Sequence, residues 1–124
     1  MDEFKGRTPE IVDLIHQAAG QFKVDPKIIN AIVGVESEFN PRARSPVGAK
    51  GLMQLSPLIV KHFKVKNPFD PQQNLMAGAQ YFAELHQQYN DLEKALSHYY
   101  GGPKAIGSTG AKRYIKKVKS LIGD

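Results

Sequence analysis

Apolar residues recur three and four positions apart along most of the chain, and proline, glycine and capping residues cut that pattern into helix-length pieces. Thr8-Pro9 reads as an N-cap followed by proline at the first helical position. Ile11, Leu14, Ile15 and Ala18 then share one face up to a predicted stop at Gly20. Asp25-Pro26 predicts a second helix through about Glu38, closed by Asn40-Pro41 because the residue before proline is pushed out of the α region. Residues 41–51, with Pro41, Pro46, Gly48 and Gly51, read as a loop, and Ser56-Pro57 opens a short helix carrying Leu58, Ile59 and Val60. Asp70, Pro71 and Gln73 launch the longest helix, whose apolar face runs Leu75, Ala79, Phe82, Leu85 and Tyr89. Asp91 caps a further helix with Leu92, Ala95, Leu96 and Tyr99, ended by Gly101-Gly102-Pro103. A last helix from about Ala111 to Ile122 turns Tyr114, Ile115, Val118 and Ile122 inward and Lys112, Lys116, Lys117 and Lys119 outward. No alternating β-branched run predicts a sheet. The expected fold is all-α, one domain over residues 1–124.

Composition narrows the chemistry more than the fold. The chain has 124 residues, 41% hydrophobic, enough to fill one core. It has no Cys, which removes disulfides, thiolate metal sites and a cysteine nucleophile. The four His, at 16, 62, 86 and 98, follow no metal-ligand spacing, so no metal and no cofactor is expected. A net charge of +5 points to a polyanionic partner or surface: nucleic acid, anionic lipid or an acidic cell-wall polymer. The charged start Met1-Asp2-Glu3-Phe4-Lys5-Gly6-Arg7 is not followed by an apolar segment, so no signal peptide is read there. The apolar stretch from Ile28 to Val35 is too short to span a bilayer.

One position breaks the helical pattern. Ile29, Ile32, Val33 and Glu36 follow i, i+3, i+4, i+7, so an apolar face ends in a carboxylate. Glu38 is rotated roughly 200° from it and is expected in solvent. A carboxylate at the edge of a core loses hydration and its pKa rises, as a general acid near neutral pH requires. The alternative is that Glu36, at a helix end, leans into water or pairs with Arg42 or Arg44. The following segment, Ser45-Pro46-Val47-Gly48-Ala49-Lys50-Gly51-Leu52-Met53-Gln54-Leu55, combines small residues that let backbone approach a ligand with the amide of Gln54. It has no phosphate-cradle signature.

Glu36-Ser37-Glu38-Phe39-Asn40-Pro41, Ser45-Pro46-Val47-Gly48-Ala49 and Gly51-Leu52-Met53-Gln54 together resemble the catalytic domain of the soluble lytic transglycosylases, goose-lysozyme-like enzymes of glycoside hydrolase family 23. Asn67-Pro68-Phe69-Asp70-Pro71 through Gly78-Ala79-Gln80-Tyr81 is similar to the next block of the family, and Tyr99 with Gly102-Pro103 and Tyr114-Ile115 to its C-terminal motifs. The resemblance covers about residues 24–120. It implies a lysozyme-like helical domain with a glycan cleft. It also implies cleavage of the β-1,4 bond between N-acetylmuramic acid and N-acetylglucosamine in peptidoglycan, with formation of a 1,6-anhydro ring. Glu36 would be the single general acid and base. Ser45 would lie beside Glu36, Gln54 would hydrogen-bond the sugar or its acetamido group, and Tyr99 would place a phenol at the reacting centre. Each also has a structural reading: Ser45 caps a turn, Gln54 satisfies loop backbone, Tyr99 packs in the core. Met53 and Tyr114 read as packing, Tyr114 needing a partner for its hydroxyl, although Tyr114 and Tyr100 are also counted among the substrate-binding candidates. Asp70, Glu84, Asp91 and Glu93 read as caps or exposed side chains.

The chain departs from the family pattern at three places. Where the family reads Ala-Tyr-Asn-Ala-Gly-Pro, this chain has His98-Tyr99-Tyr100-Gly101-Gly102-Pro103, so Tyr100 replaces an amide that helps shape the cleft. Ser56 stands where Met is common two residues after the glutamine. Gly110-Ala111 replace a Glu-Thr pair whose Glu supports the cleft. Tyr100 either offers a stacking surface for sugar or packs inward. The resemblance implies peptidoglycan strands as partner and a location in the cell envelope, periplasmic or secreted. It implies no nucleic-acid partner and no membrane span, with the domain monomeric, alone or within a larger protein or envelope-spanning machine. The competing readings are a lysozyme-type hydrolase, a catalytically weakened peptidoglycan-binding module and, on charge alone, a helical nucleic-acid binder.

Overall fold

The structure, a computed structural model, describes residues 4–123; the charged start at Met1, Asp2 and Glu3 lies outside them. Among the described residues the fold is all-α. The helices are α1 (Pro9–Phe22), α2 (Pro26–Ser37), α3 (Pro57–His62), α4 (Pro71–Tyr89), α5 (Leu92–Gly101) and α6 (Thr109–Ile122), with a 3₁₀ turn at Pro103–Ala105. Thr8, Asp25, Ser56, Asp70 and Asp91 each cap a helix, their side-chain oxygens accepting a first-turn backbone N–H. Gln73 does not close a capping box: its Oε1 accepts from the Asn67 N–H at 2.8 Å instead of returning to Asp70.

The expected ends need correction. Gly20 does not stop α1; the helix runs to Phe22, and Lys23 takes the left-handed cap at φ 58°. Phe22 packs against the core, and that contact carries the helix past an exposed glycine. α2 ends at Ser37, within a residue of the expected Glu38, where Glu38 and Phe39 both turn left-handed, at φ 52° and 64°, ahead of Asn40-Pro41. α6 begins at Thr109, two residues before Ala111, because Ser108 caps it by accepting the Ala111 N–H.

α2 packs between α1 and α6, and α4 packs against α1 and α5, which also meets α6. Ile29, Ile32 and Val33 are wholly buried, and burial of each stabilises the fold by about 2 kcal/mol. Tyr114 and Val118 are buried on α6, with Ile115 and Ile122 half-buried at the edge of the core. Lys112, Lys116 and Lys117 are exposed as expected, whereas Lys119 is half-buried and pairs with Glu93. Residues 44–55 form a folded loop held by two isolated antiparallel bridges, Arg44 with Lys50 and Lys50 with Leu55. No helix among the described residues is long and apolar enough to cross a membrane.

Candidate active site

The apolar face of α2 delivers Glu36 to its last turn, at the wall of a cleft of about 470 Å³. The carboxylate is half-buried. Loss of hydration raises its pKa from 4.5 to about 7, against a smaller opposing pull from the Tyr114 hydroxyl, which favours the charged form. That hydroxyl is buried and completes no hydrogen bond of full geometry. Glu38 is exposed, as its rotation on the helix requires. Neither Arg42 nor Arg44 forms an ion pair with Glu36 among the described residues; Arg44 lies over the Phe69 ring at 4.8 Å instead.

The cleft brings Glu36, Ser45, Gln54, Tyr99 and Tyr100 to one surface. Ser45 Oγ accepts the Ala49 N–H at 3.0 Å, closing the turn that carries Gly48. Gln54 adopts a left-handed φ of 51°, and its Nε2 donates to the carbonyls of Ala43 and Gly51 at 3.1 and 3.0 Å. With its donors committed to loop backbone, the side chain keeps its amide oxygen for a ligand N–H or O–H. Tyr99 donates its hydroxyl to the Met53 carbonyl at 2.8 Å, so the phenol braces the loop. Burial raises the Tyr99 pKa well above its usual value, with Glu36 adding to the effect, so Tyr99 stays neutral. Tyr100 is 47% exposed, its ring 5.2 Å from that of Tyr114. Tyr114 lines a second, smaller cleft that also reaches Glu36.

Several residues that sequence reasoning missed shape the site. Asn74, wholly buried on α4, accepts the Met53 N–H at 2.8 Å and donates to the carbonyls of Lys50 and Pro68 at 3.0 and 2.8 Å. Its signal was a lone amide at the head of an otherwise apolar face. Gly51 answers it: a Cβ there would lie 2.2 Å from Asn74 Nδ2 and 2.3 Å from the Pro68 carbonyl. Ser37 donates to the Leu52 carbonyl at 2.7 Å, tying the end of α2 to the same loop. Met53, buried as expected, sits over Gly78, where a Cβ would meet its sulfur at 2.3 Å. Tyr81 stacks on Tyr99 at 5.4 Å, and His98 Nδ1 is 2.8 Å from the Tyr89 hydroxyl; both line the cleft. Burial lowers the His98 pKa. Val47 and Leu58, 84% and 74% exposed, make an apolar rim suited to the flat faces and acetamido methyls of sugars.

Asp70 and Asp91 cap helices, and Glu84 and Glu93 are exposed, so Glu36 is the sole carboxylate among the residues lining either cleft. A site with one acid of raised pKa, flanking hydroxyls and amides and an apolar rim suits proton transfer to a glycosidic oxygen.

Known proteins resemble the chain in sequence and in fold. The family model of the transglycosylase SLT domain matches residues 13–122. A transglycosylase of Enterobacteria phage PRD1 is 37% identical over 118 residues, which span 90% of this chain and 44% of that protein. Membrane-bound lytic murein transglycosylase F of Hahella chejuensis is 35% identical over 131 residues, covering 100% of this chain and 25% of that protein. Among solved structures, the 70 kDa soluble lytic transglycosylase of Escherichia coli superposes with a TM-score of 0.78 at 26% identity, over 89% of this chain and 23% of that one. An inactive mutant of the lytic transglycosylase Slt from Pseudomonas aeruginosa matches with the same TM-score of 0.78 at 25% identity, again over 89% of this chain and 23% of that one. The chain thus spans less than half of each of these relatives.

Proposed function

The chain belongs to the transglycosylase SLT domain family, and from that premise we propose that it is a peptidoglycan lytic transglycosylase acting in the bacterial cell envelope, with Glu36 as its single general acid and base. The observation that carries this reading is the solitary carboxylate of the cleft, held near neutrality by burial. A pKa of about 7 keeps a large fraction of Glu36 protonated at neutral pH. The protonated acid gives its proton to the glycosidic oxygen as the bond from muramic C1 breaks. The electron pair of that bond leaves with the N-acetylglucosamine O4, and the muramyl acetamido oxygen stabilises the charge left at C1. Glu36, now a carboxylate, takes the proton from the muramic C6 hydroxyl as O6 attacks C1, closing the 1,6-anhydro ring and restoring the acid. Two-carboxylate glycosidases need a second acid about 5–9.5 Å away as nucleophile or base. The lining residues offer none, which favours attack by a group of the substrate itself over direct attack by water. Gln54 Oε1 and Ser45 are the proposed sugar contacts, Tyr99 fixes the Met53 carbonyl beside them, and Tyr100 with Tyr114 walls Glu36 on its other side.

The test is mass spectrometry of purified peptidoglycan digested with wild type and with Glu36→Gln. The expected products are muropeptides one water lighter than hydrolysis would give, with turnover lowered at least about 10²-fold in the variant. Products with reducing ends would make the protein a lysozyme-type hydrolase. Binding of glycan without any cleavage would make it a recognition module.

A further inference from the structure

Glu36 lies between two lobes of the groove, and Tyr100 divides them. The smaller lobe, about 340 Å³, is walled by Val35, Gly110, Arg113, Tyr114 and Lys117. The partition depends on a pair of residues: the Tyr100 hydroxyl sits so close over Gly110 that a Cβ there would be 2.5 Å from it. Two of the family departures, Tyr100 and Gly110, are therefore one structural change, and the glycine leaves the lobe with no acid besides Glu36.

What remains is basic. Arg113 and Lys117 stand four residues apart on α6, hence on one face, and like charges at that spacing repel. Both are exposed, and neither has an acidic partner among the described residues. In the same wall the buried Tyr114 hydroxyl is already engaged with Glu36, whose charged form it favours. Two cations without acidic partners among the described residues, on one helix face in a concave lobe beside the general acid, describe a receptor for an anion.

We propose that this lobe binds a carboxylate of the peptide stem carried by the muramyl residue, with Arg113 and Lys117 as its contacts and Tyr100 separating stem from sugar. The proposal rests on peptidoglycan being the substrate. A stem leaves the sugar ring on a lactyl ether and carries free carboxylates, so it supplies an anion within reach of the scissile bond. A guanidinium suits it well, because its planar donors match both carboxylate oxygens.

The experiment compares glycan strands with intact stems, strands whose stem carboxylates are amidated, and strands stripped of stems. Binding by Glu36→Gln, which does not turn over, is read by co-sedimentation; cleavage by the wild type is read as KM. Intact strands are expected to bind about fivefold more tightly than amidated ones, in line with partly exposed ion pairs. Adding Arg113→Gln and Lys117→Gln should erase that preference, as should Tyr100→Asn with Gly110→Glu, which places an acid in the lobe. Equal affinity for intact and amidated strands, or a preference that survives the double glutamine variant, would overturn the stem site. If wild type cleaves none of the three, the proposed activity fails, while the binding arm still decides the site.

Discussion

Glu36 owes its acidity to two opposed influences, and their balance can be shifted. Burial raises its pKa to about 7, and the Tyr114 hydroxyl favours the charged form and lowers it. For an acid that must enter the reaction protonated, kcat/KM falls about tenfold per pH unit above that value. Tyr114→Phe removes the lowering influence, so the alkaline limb should move to higher pH. The fold should lose little, because the hydroxyl completes no hydrogen bond. A pH profile of kcat/KM for both proteins checks this, and a limb that stays in place or moves down contradicts it. Glu36 was legible in the sequence because a carboxylate interrupts a helical apolar period, which is a local fact. Its contact with Tyr114 was not, since it joins residues 78 positions apart in the chain, and neither was the commitment of Gln54 to loop carbonyls. Sequence names the functional groups a residue carries. It does not say which of them the backbone has already claimed.

Among the elements, the loop at residues 44–55 depends most on a neighbour. Asn74 on α4 holds it through two hydrogen bonds, to the Met53 N–H and the Lys50 carbonyl, with a third to the Pro68 carbonyl, and Ser37 on α2 holds it through one. Asn74→Ala leaves the Met53 N–H and two carbonyls buried without partners, at about 1–3 kcal/mol each. Urea denaturation should show a loss of at least about 3 kcal/mol, and activity should fall with it because Gln54 rides on this loop. A loss below about 1 kcal/mol would mean that water replaces the amide. Helix starts were readable for five of the six helices, α6 excepted, because an N-cap needs only a side-chain oxygen two or three residues before a free N–H. Helix ends were readable for α5 and α6, at Gly101 and Ile122, but not for α1. α1 passed Gly20 because Phe22 gains by packing, and α2 gives way within a residue of its expected end because Glu38 and Phe39 are left-handed. A non-glycine residue in that region costs about 1–2 kcal/mol. Complete burial of the Phe39 ring, with Arg7 5.8 Å from its centre, offsets that cost.

At the scale of the whole molecule, the raised pKa of Glu36 is also a statement about stability. The folded protein holds the Glu36 proton more tightly than the unfolded chain, which releases it near pH 4.5. The stabilisation this gives is fully present below about pH 4.5 and is lost as pH rises through about 7, a difference on the order of 3 kcal/mol. Glu36→Gln is neutral at every pH and escapes that loss. Its Tm advantage over wild type should be absent near pH 4, grow through pH 6 and level off above about pH 7. Thermal melts across that range decide it, and a constant difference would mean that Glu36 is not desolvated. The all-α architecture itself was legible from periodicity and caps, because each helix carries its own apolar face. The arrangement that makes a cleft of them was not, and it has a consequence in time. Glu36 is contributed by the second helix, the Tyr99 hydroxyl by the fifth and the buried Tyr114 wall by the sixth, docked directly on the second. Until that last helix settles, the wall it supplies is missing and part of the Glu36 desolvation is not in place. The raised pKa is therefore a late product of folding, tied to the docking of the sixth helix on the second.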